Sequence, residues 1–114
     1  MTETQLIAVI LEYLKLHHIP AWRNNTGAFV GEHKGKHRFH RYGFKGSSDI
    51  LGIIPPNGRL LAIEVKIGKN KLTLDQLQFW QMIRDNGGLA FVAYKLEDVE
   101  LALKSKIDLS DEEK

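Results

Sequence analysis

Residues 49–67 read DILGIIPPNGRLLAIEVKI. Two apolar runs, Asp49 to Ile54 and Arg59 to Ile67, flank PPNG, and Asn-Gly between such runs is a strong hairpin signal. The pairing has two readings. If Asn57-Gly58 alone forms a two-residue loop, Asp49 faces Lys66; if all of PPNG forms the loop, Asp49 faces Glu64. Strand residues two apart point the same way, and directly opposed Cβ atoms of an antiparallel pair lie about 4.5–5.5 Å apart. In either register Asp49, Glu64 and Lys66 share one face, at the end of the hairpin away from its turn.

Working outward, KNK leads to Thr73-x-x-Gln76, a capping-box pattern with Leu72 and Leu77 placed as a hydrophobic staple. A helix from there ends at NGG, near Asp85. LAFVAY (Leu89 to Tyr94) reads as a buried strand and LEDVELALKSKI as a closing helix. At the other end Thr2 is an N-cap, and Leu6, Val9, Ile10, Tyr13, Leu14 and His17 recur at helical spacing until Ile19 and Pro20 end the pattern. AWRNN reads as a short extended segment, Thr26-Gly27 as a turn, and the basic stretch through Gly43 as irregular or a loose hairpin. The expected fold is α/β: one domain with a mixed sheet covered by helices, the helix from Thr73 crossing between Glu64's strand and a parallel strand at Leu89. The domain is expected over residues 1–107, with an acidic tail at 108–114.

Two carboxylates and a lysine are costly core residues, because an unpaired buried charge loses several kcal/mol of hydration. A divalent ion would compensate. Mg²⁺ usually takes one or two carboxylates and leaves places for water and phosphate. Asp49 and Glu64 supply that number, the Val65 carbonyl can add a third oxygen, and Lys66 can orient water or neutralise charge on a phosphate. A structural ion pair of Lys66 with either acid is the other reading of the same spacing. Gln76 falls with Trp80 and Ile83 on the inward stripe of its helix. Glu3 lies in line with Ile7, Ile10 and Leu14, whereas Glu12 sits off the stripe; the helix dipole also favours a first-turn acid.

The chain has 114 residues, 43% hydrophobic and 26% charged, which suits one compact domain. With no cysteine there is neither a disulfide framework nor a thiolate zinc site, as suits a reducing cytoplasm. No apolar run reaches the roughly 20 residues of a membrane span, and MTETQLIAVI lacks the basic flank of a signal peptide. The net charge of +2 is unevenly placed. Residues 31–46 hold Lys34, Lys36, Arg38, Arg41 and Lys45 against Glu32 alone, a local +4. Such asymmetry fits a polyanion contacted by one face, with a solvated loop as the plainer reading. Phe39 and Tyr42, interleaved with the cations, suit a flap that tracks a nucleic-acid backbone and stacks on a base. Arg23, Asn24 and Asn25 can hold phosphate or serve turn chemistry. Ser47 and Ser48 can donate to a phosphate, and Lys69 and Lys71 can contact one. His33, His37 and His40 invite a zinc reading, but Gly35 and the charge density oppose a helix there.

The ordered series Glu3, RNNTGA (Arg23 to Ala28), GSSD (Gly46 to Asp49), AIEVK (Ala62 to Lys66) and LTLDQ (Leu72 to Gln76) resembles the VRR-NUC family of the PD-(D/E)XK nuclease superfamily, in its stand-alone phage or bacterial form. The resemblance covers nearly the whole chain. It implies a restriction-endonuclease-like core and a Mg²⁺- or Mn²⁺-dependent phosphodiesterase acting on DNA. By motif position Asp49 and Glu64 are metal ligands, Lys66 the catalytic lysine, Gln76 the helix glutamine beside the site and Glu3 the N-terminal glutamate, tied to the metal at most indirectly. Ser48 stands where the superfamily's name has proline, which binds no metal. The resemblance further implies a homodimer cutting branched DNA such as four-way (Holliday) junctions, in a bacterial cytoplasm or that of a host. Rival readings are a non-catalytic DNA-binding module whose acidic cluster is a structural ion pair, and a small-molecule phosphodiesterase that leaves the basic stretch without a purpose.

Overall fold

In the computed structural model the backbone is described for residues 1–24, 27–33, 36–42 and 44–112, and the side chains for residues 1–24 and 44–105. The elements run α1 (Glu3–Leu16), β1 (Ala21–Arg23), β2 (Gly27–His33), β3 (Lys36–Tyr42), β4 (Ile50–Ile54), β5 (Arg59–Val65), α2 (Leu74–Asp85), β6 (Leu89–Ala93) and α3 (Leu96–Glu112). The last helix continues to Glu112, beyond the apolar periodicity that suggested it.

Four strands form a mixed sheet in the order β1-β4-β5-β6, and β2 pairs with β3 in a separate ribbon. Ile54 is opposite Arg59 and Ile50 opposite Ile63, so all of PPNG lies in the loop. Continuing that register sets Asp49 against Glu64, one of the two pairings the sequence allowed. β5 and β6 are parallel, and α2 supplies the crossover.

Alternation along the strands divides the core in two. Ile50, Leu61, Ile63, Val65, Phe91 and Ala93 pack under α1 and α3, with Leu6, Ile10, Leu14, Val99 and Leu103. On the other face Ala62 and Ala90 pack under Phe79 and Ile83 of α2, with Leu51 and Trp80 at the margin. A sheet covered on both sides buries its central strand completely. Accordingly β5 is buried without a break from Leu61 to Val65. In α1 the buried stripe is Leu6, Ile7, Ile10 and Leu14, and Val9 sits at its exposed edge.

Between residues 27 and 42 the sequence suggested an irregular stretch or a loose hairpin, whereas the backbone forms a regular ladder. Seven consecutive pairs run from Gly27 opposite Tyr42 to His33 opposite Lys36. Glycines and charges at alternate positions weakened the strand signal there without preventing pairing, because backbone hydrogen bonds are indifferent to the side chains between them. Gly27 opens β2 instead of ending a turn; Thr26 lies outside the described residues.

Helix α1 ends in a Schellman motif: Ile19 N–H donates to Leu14 O and His18 N–H to Lys15 O. His18 therefore occupies the left-handed position, at φ 59°. A side chain with a Cβ is penalised there and glycine is not. His18→Gly is expected to raise stability by about 0.5–1 kcal/mol, measured as a higher urea midpoint with an unchanged slope.

Candidate active site

The ends of β4 and β5 meet the N-terminus of α2, and the residues singled out by their spacing converge there. Glu64 is the next-to-last residue of β5, on the α2 face, and is only 4% exposed. One of its oxygens, Oε1, accepts a hydrogen bond from Gln76 Nε2 at 2.8 Å and lies 3.9 Å from Lys66 Nζ. The other, Oε2, is buried and has no hydrogen-bond partner among the described residues. Asp49 approaches from the paired strand, with Oδ2 accepting from the Val65 N–H at 2.8 Å. Each carboxylate thus has one oxygen engaged by a donor of the fold, and the two acids lie side by side.

Gln76 is held by helix geometry. Its Oε1 accepts from Thr73 N–H at 2.8 Å while Thr73 Oγ1 accepts from Gln76 N–H, the complete capping box. With the carbonyl end committed to the cap, only the amide NH₂ is left for Glu64. The cap and the site contact are therefore one arrangement.

The loop 46–49 is fitted against the same helix end. Gly46 has φ +78°, and a Cβ there would come within 2.2 Å of Asp75 O. Only glycine permits that backbone-to-backbone approach. Lys45 Nζ lies 3.3 Å from Asp75 Oδ2, and the Phe44 ring centroid 5.5 Å from that of Phe79. From the edge strand, Asn24 N–H donates to Asp49 O at 2.7 Å, and Asn24 Nδ2 donates to Ser47 Oγ and to Ser48 O. Asn24, picked out for phosphate, braces the segment Ser47–Asp49.

The other residues singled out are placed as follows. Glu3 is half-buried in the first turn of α1 and close enough to Glu64 to disfavour its charge. Val65 buries its side chain under α1 and α3. Ser48 is 3% exposed and Ser47 half-buried, so Ser47 is the more accessible hydroxyl. Arg23 is exposed at the end of β1, and Lys69 and Lys71 are exposed on the loop leaving β5. That loop is tied down by the Tyr94 hydroxyl, which donates to Asn70 O at 2.8 Å. Tyr94 and Thr73 are supporting residues that the sequence reading passed over as site parts; the capping-box pattern was the signal for Thr73, and Tyr94 had none. Asn25 and Lys34 lie outside the described residues, as do the side chains of Lys36, Arg38, Arg41 and the three histidines of the zinc reading.

Burial pushes the Glu64 carboxyl up to about 8, and the neighbouring Asp49 carboxylate adds to the effect, with a smaller push from Glu3; Lys66 opposes it. Ionised, Glu64 leaves Oε2 without a partner; protonated, it can share its proton with Asp49. Such a site suits a hard cation. It would take oxygens of the two acids and relieve both their repulsion and the orphaned atom. Among the described residues no group of three His, Cys, Asp or Glu forms a full protein cage. Two carboxylates are also what Mg²⁺ needs when water and phosphate complete its shell.

A mixed four-stranded sheet flanked by three helices, with Asp, Glu and Lys gathered at adjoining strand ends, defines an α/β nuclease core. Comparison with protein families matches the VRR-NUC domain over residues 1–95, and the chain belongs to that family of nucleases. No curated protein matches the chain.

The raised Glu64 carboxyl links pH to metal-free stability. It holds its proton in the folded chain up to about 8 but gives it up near 4.5 when unfolded, so folding takes up a proton in between. This contribution is full below about 4.5 and is lost as the pH rises through 8. In EDTA, the melting temperature is expected to fall between pH 6 and 9, and Glu64→Gln to remove most of that fall. Gln76→Glu, which keeps the cap acceptor but sets a third acid against Glu64, should move the loss to higher pH. A wild-type profile as flat as that of Glu64→Gln would contradict the assignment.

Proposed function

We propose that the protein is a metal-dependent, structure-specific DNA endonuclease. The observation that carries this reading is the buried Glu64 Oε2 without a partner, beside Asp49 and within reach of Lys66. A structural ion pair is less well supported, because Lys66 Nζ is 3.9 Å from Glu64 Oε1 and leaves the carboxyl raised to about 8. The same geometry disfavours the rival of a non-catalytic DNA-binding module.

In this reading Asp49 and Glu64 hold Mg²⁺ or Mn²⁺, with the Val65 carbonyl as a third protein oxygen and Glu3 acting indirectly through charge. The bound ion would polarise the scissile phosphate and lower the pKa of the attacking water. Lys66, with its side chain 13% exposed, brings positive charge to where negative charge develops on the phosphoryl oxygens. Gln76 holds Glu64 in one rotamer, so that a single oxygen faces the ion. Asn24 steadies Asp49 from the other side. Arg23, Asn25, Ser47, Ser48, Lys69 and Lys71, together with Lys34, Lys36, Arg38 and Lys45 of the basic segment, form the DNA-binding surface around this centre.

The nuclease unit is assigned to residues 1–107, with 108–114 as a tail. Membership of the VRR-NUC family and the basic segment support branched DNA, four-way junctions among it, as substrate, and a homodimer as the acting form. No helix among the described residues is long and apolar enough to cross a membrane. A DNA substrate places the action in a bacterial cytoplasm, or in that of a host if a phage encodes the chain.

Labelled four-way junction, flap and duplex DNA should be cut with Mg²⁺ or Mn²⁺ and spared in EDTA. Asp49→Ala and Lys66→Ala are expected to lower the rate by about 100-fold or more. Cutting at an undiminished rate by either variant sinks the proposal. Light scattering at working concentration should give twice the 13.0 kDa chain mass.

A further inference from the structure

The ladder between β2 and β3 sorts the basic segment into two unlike faces. Residues directly opposite share a face, and residues two apart along a strand share it as well. The pairs Gly27–Tyr42, Phe29–His40, Gly31–Arg38 and His33–Lys36 therefore occupy one side of the ribbon. That side carries Lys36 and Arg38, no acid, two aromatic positions and two imidazoles. The pairs Ala28–Arg41, Val30–Phe39 and Glu32–His37 occupy the other. Glu32 and Arg41 hold positions on that side, with Val30 opposite Phe39 between them. By position, with imidazoles neutral, the formal charge is +2 on one side and zero on the other.

Both ends of this ribbon are fastened beside the two carboxylates. Asn24, just before it, donates to Asp49 O, Ser47 Oγ and Ser48 O. Phe44, just after it, lies against Phe79, and Lys45 is paired with Asp75 at the start of α2. Seven residues per strand make an arm of about 23 Å at roughly 3.3 Å per residue. A nucleic-acid strand lying along it would be led to Asp49 and Glu64.

We propose that the Lys36/Arg38/Tyr42 side of the β2–β3 ribbon binds an unpaired DNA strand and leads it to the site. This rests on the nuclease reading and adds to it which cations touch DNA and what state that DNA is in. Positive charge interleaved with aromatic positions matches a single strand, whose bases present π-faces that a duplex hides. A ribbon can also enter the major groove, but base edges there are read chiefly by Arg, Lys, Asn and Gln. This side has Lys36 and Arg38 of those and neither Asn nor Gln. The unpaired nucleotides would be those exposed at a branch point.

Binding is measured without cleavage, by fluorescence anisotropy in EDTA, with a labelled single strand and the duplex of the same sequence over a range of salt. Wild type should prefer the single strand. Lys36→Ala with Arg38→Ala should weaken that binding by tenfold or more and reduce the slope of log affinity against log salt by about 1.4. Tyr42→Leu should weaken it by about fivefold or more. Arg41→Ala and Phe39→Leu, on the other side, should change it by less than twofold, with circular dichroism confirming that every variant is folded. Equal losses from both sides, or a wild-type preference for duplex, overturns the proposal. If the ribbon variants behave as stated but nothing is cut with Mg²⁺ or Mn²⁺, the nuclease reading fails and the surface stands. If DNA is cut while the ribbon variants bind normally, the surface fails and the nuclease reading stands.

Discussion

A carboxylate sits where the fold leaves almost no water, and the surrounding structure is arranged around that fact. Glu64 is buried because β5 is the inner strand of a sheet covered on both faces. The cost of burying a charge there appears in its carboxyl, pushed up to about 8 chiefly by desolvation. The neighbours do not cancel that cost. Gln76 donates to Oε1, and Lys66 lies 3.9 Å from it, whereas Oε2 has no hydrogen-bond partner among the described residues. Asp49 has its Oδ2 on the Val65 N–H, adding a second negative group close by. For a stable fold alone, an apolar residue at position 64 would serve better. On the proposed reading the carboxylate is one part of a centre that a cation would complete.

How much of this was legible in the sequence depended on whether a local pattern was enough. The capping box at Thr73 and Gln76, the crossover from β5 to β6 and the shared face of Asp49, Glu64 and Lys66 follow from periods of 3.6 and 2, and all are found. Between the two registers at PPNG the sequence could not choose. Both loops are compatible with Asn57-Gly58, and because the two registers differ by two residues they place the same side chains on each face. The bracing of Asp49 by Asn24 depends on β1 pairing at the sheet edge across 24 intervening positions, which a three-residue strand does not announce. For the ribbon, strand propensity was a poor guide because Gly27, Gly31, charges and imidazoles fill the ladder.

Gly46 illustrates how a residue with no functional group can set the geometry of those that have one. Its backbone lies against Asp75 at the start of α2, where a Cβ would come within 2.2 Å of a carbonyl oxygen. That contact fixes the distance between the strand bearing Asp49 and the helix bearing Gln76. In the sequence Gly46 was only the first letter of GSSD.

The two faces of the sheet divide the labour. The α1/α3 side holds the larger core and makes the rigid platform. On the α2 side the helix contributes Phe79 and Ile83 as its buried residues, a thin layer for twelve residues of helix. Polar and backbone contacts at its N-terminus therefore matter more for its position: the cap at Thr73, the close approach of Gly46, the Lys45–Asp75 pair and the bond from Gln76 to Glu64. All four lie at the end of the helix where the chain returns from the ribbon. These contacts form a continuous chain from the base of the ribbon, through the helix cap, to the carboxyl of Glu64.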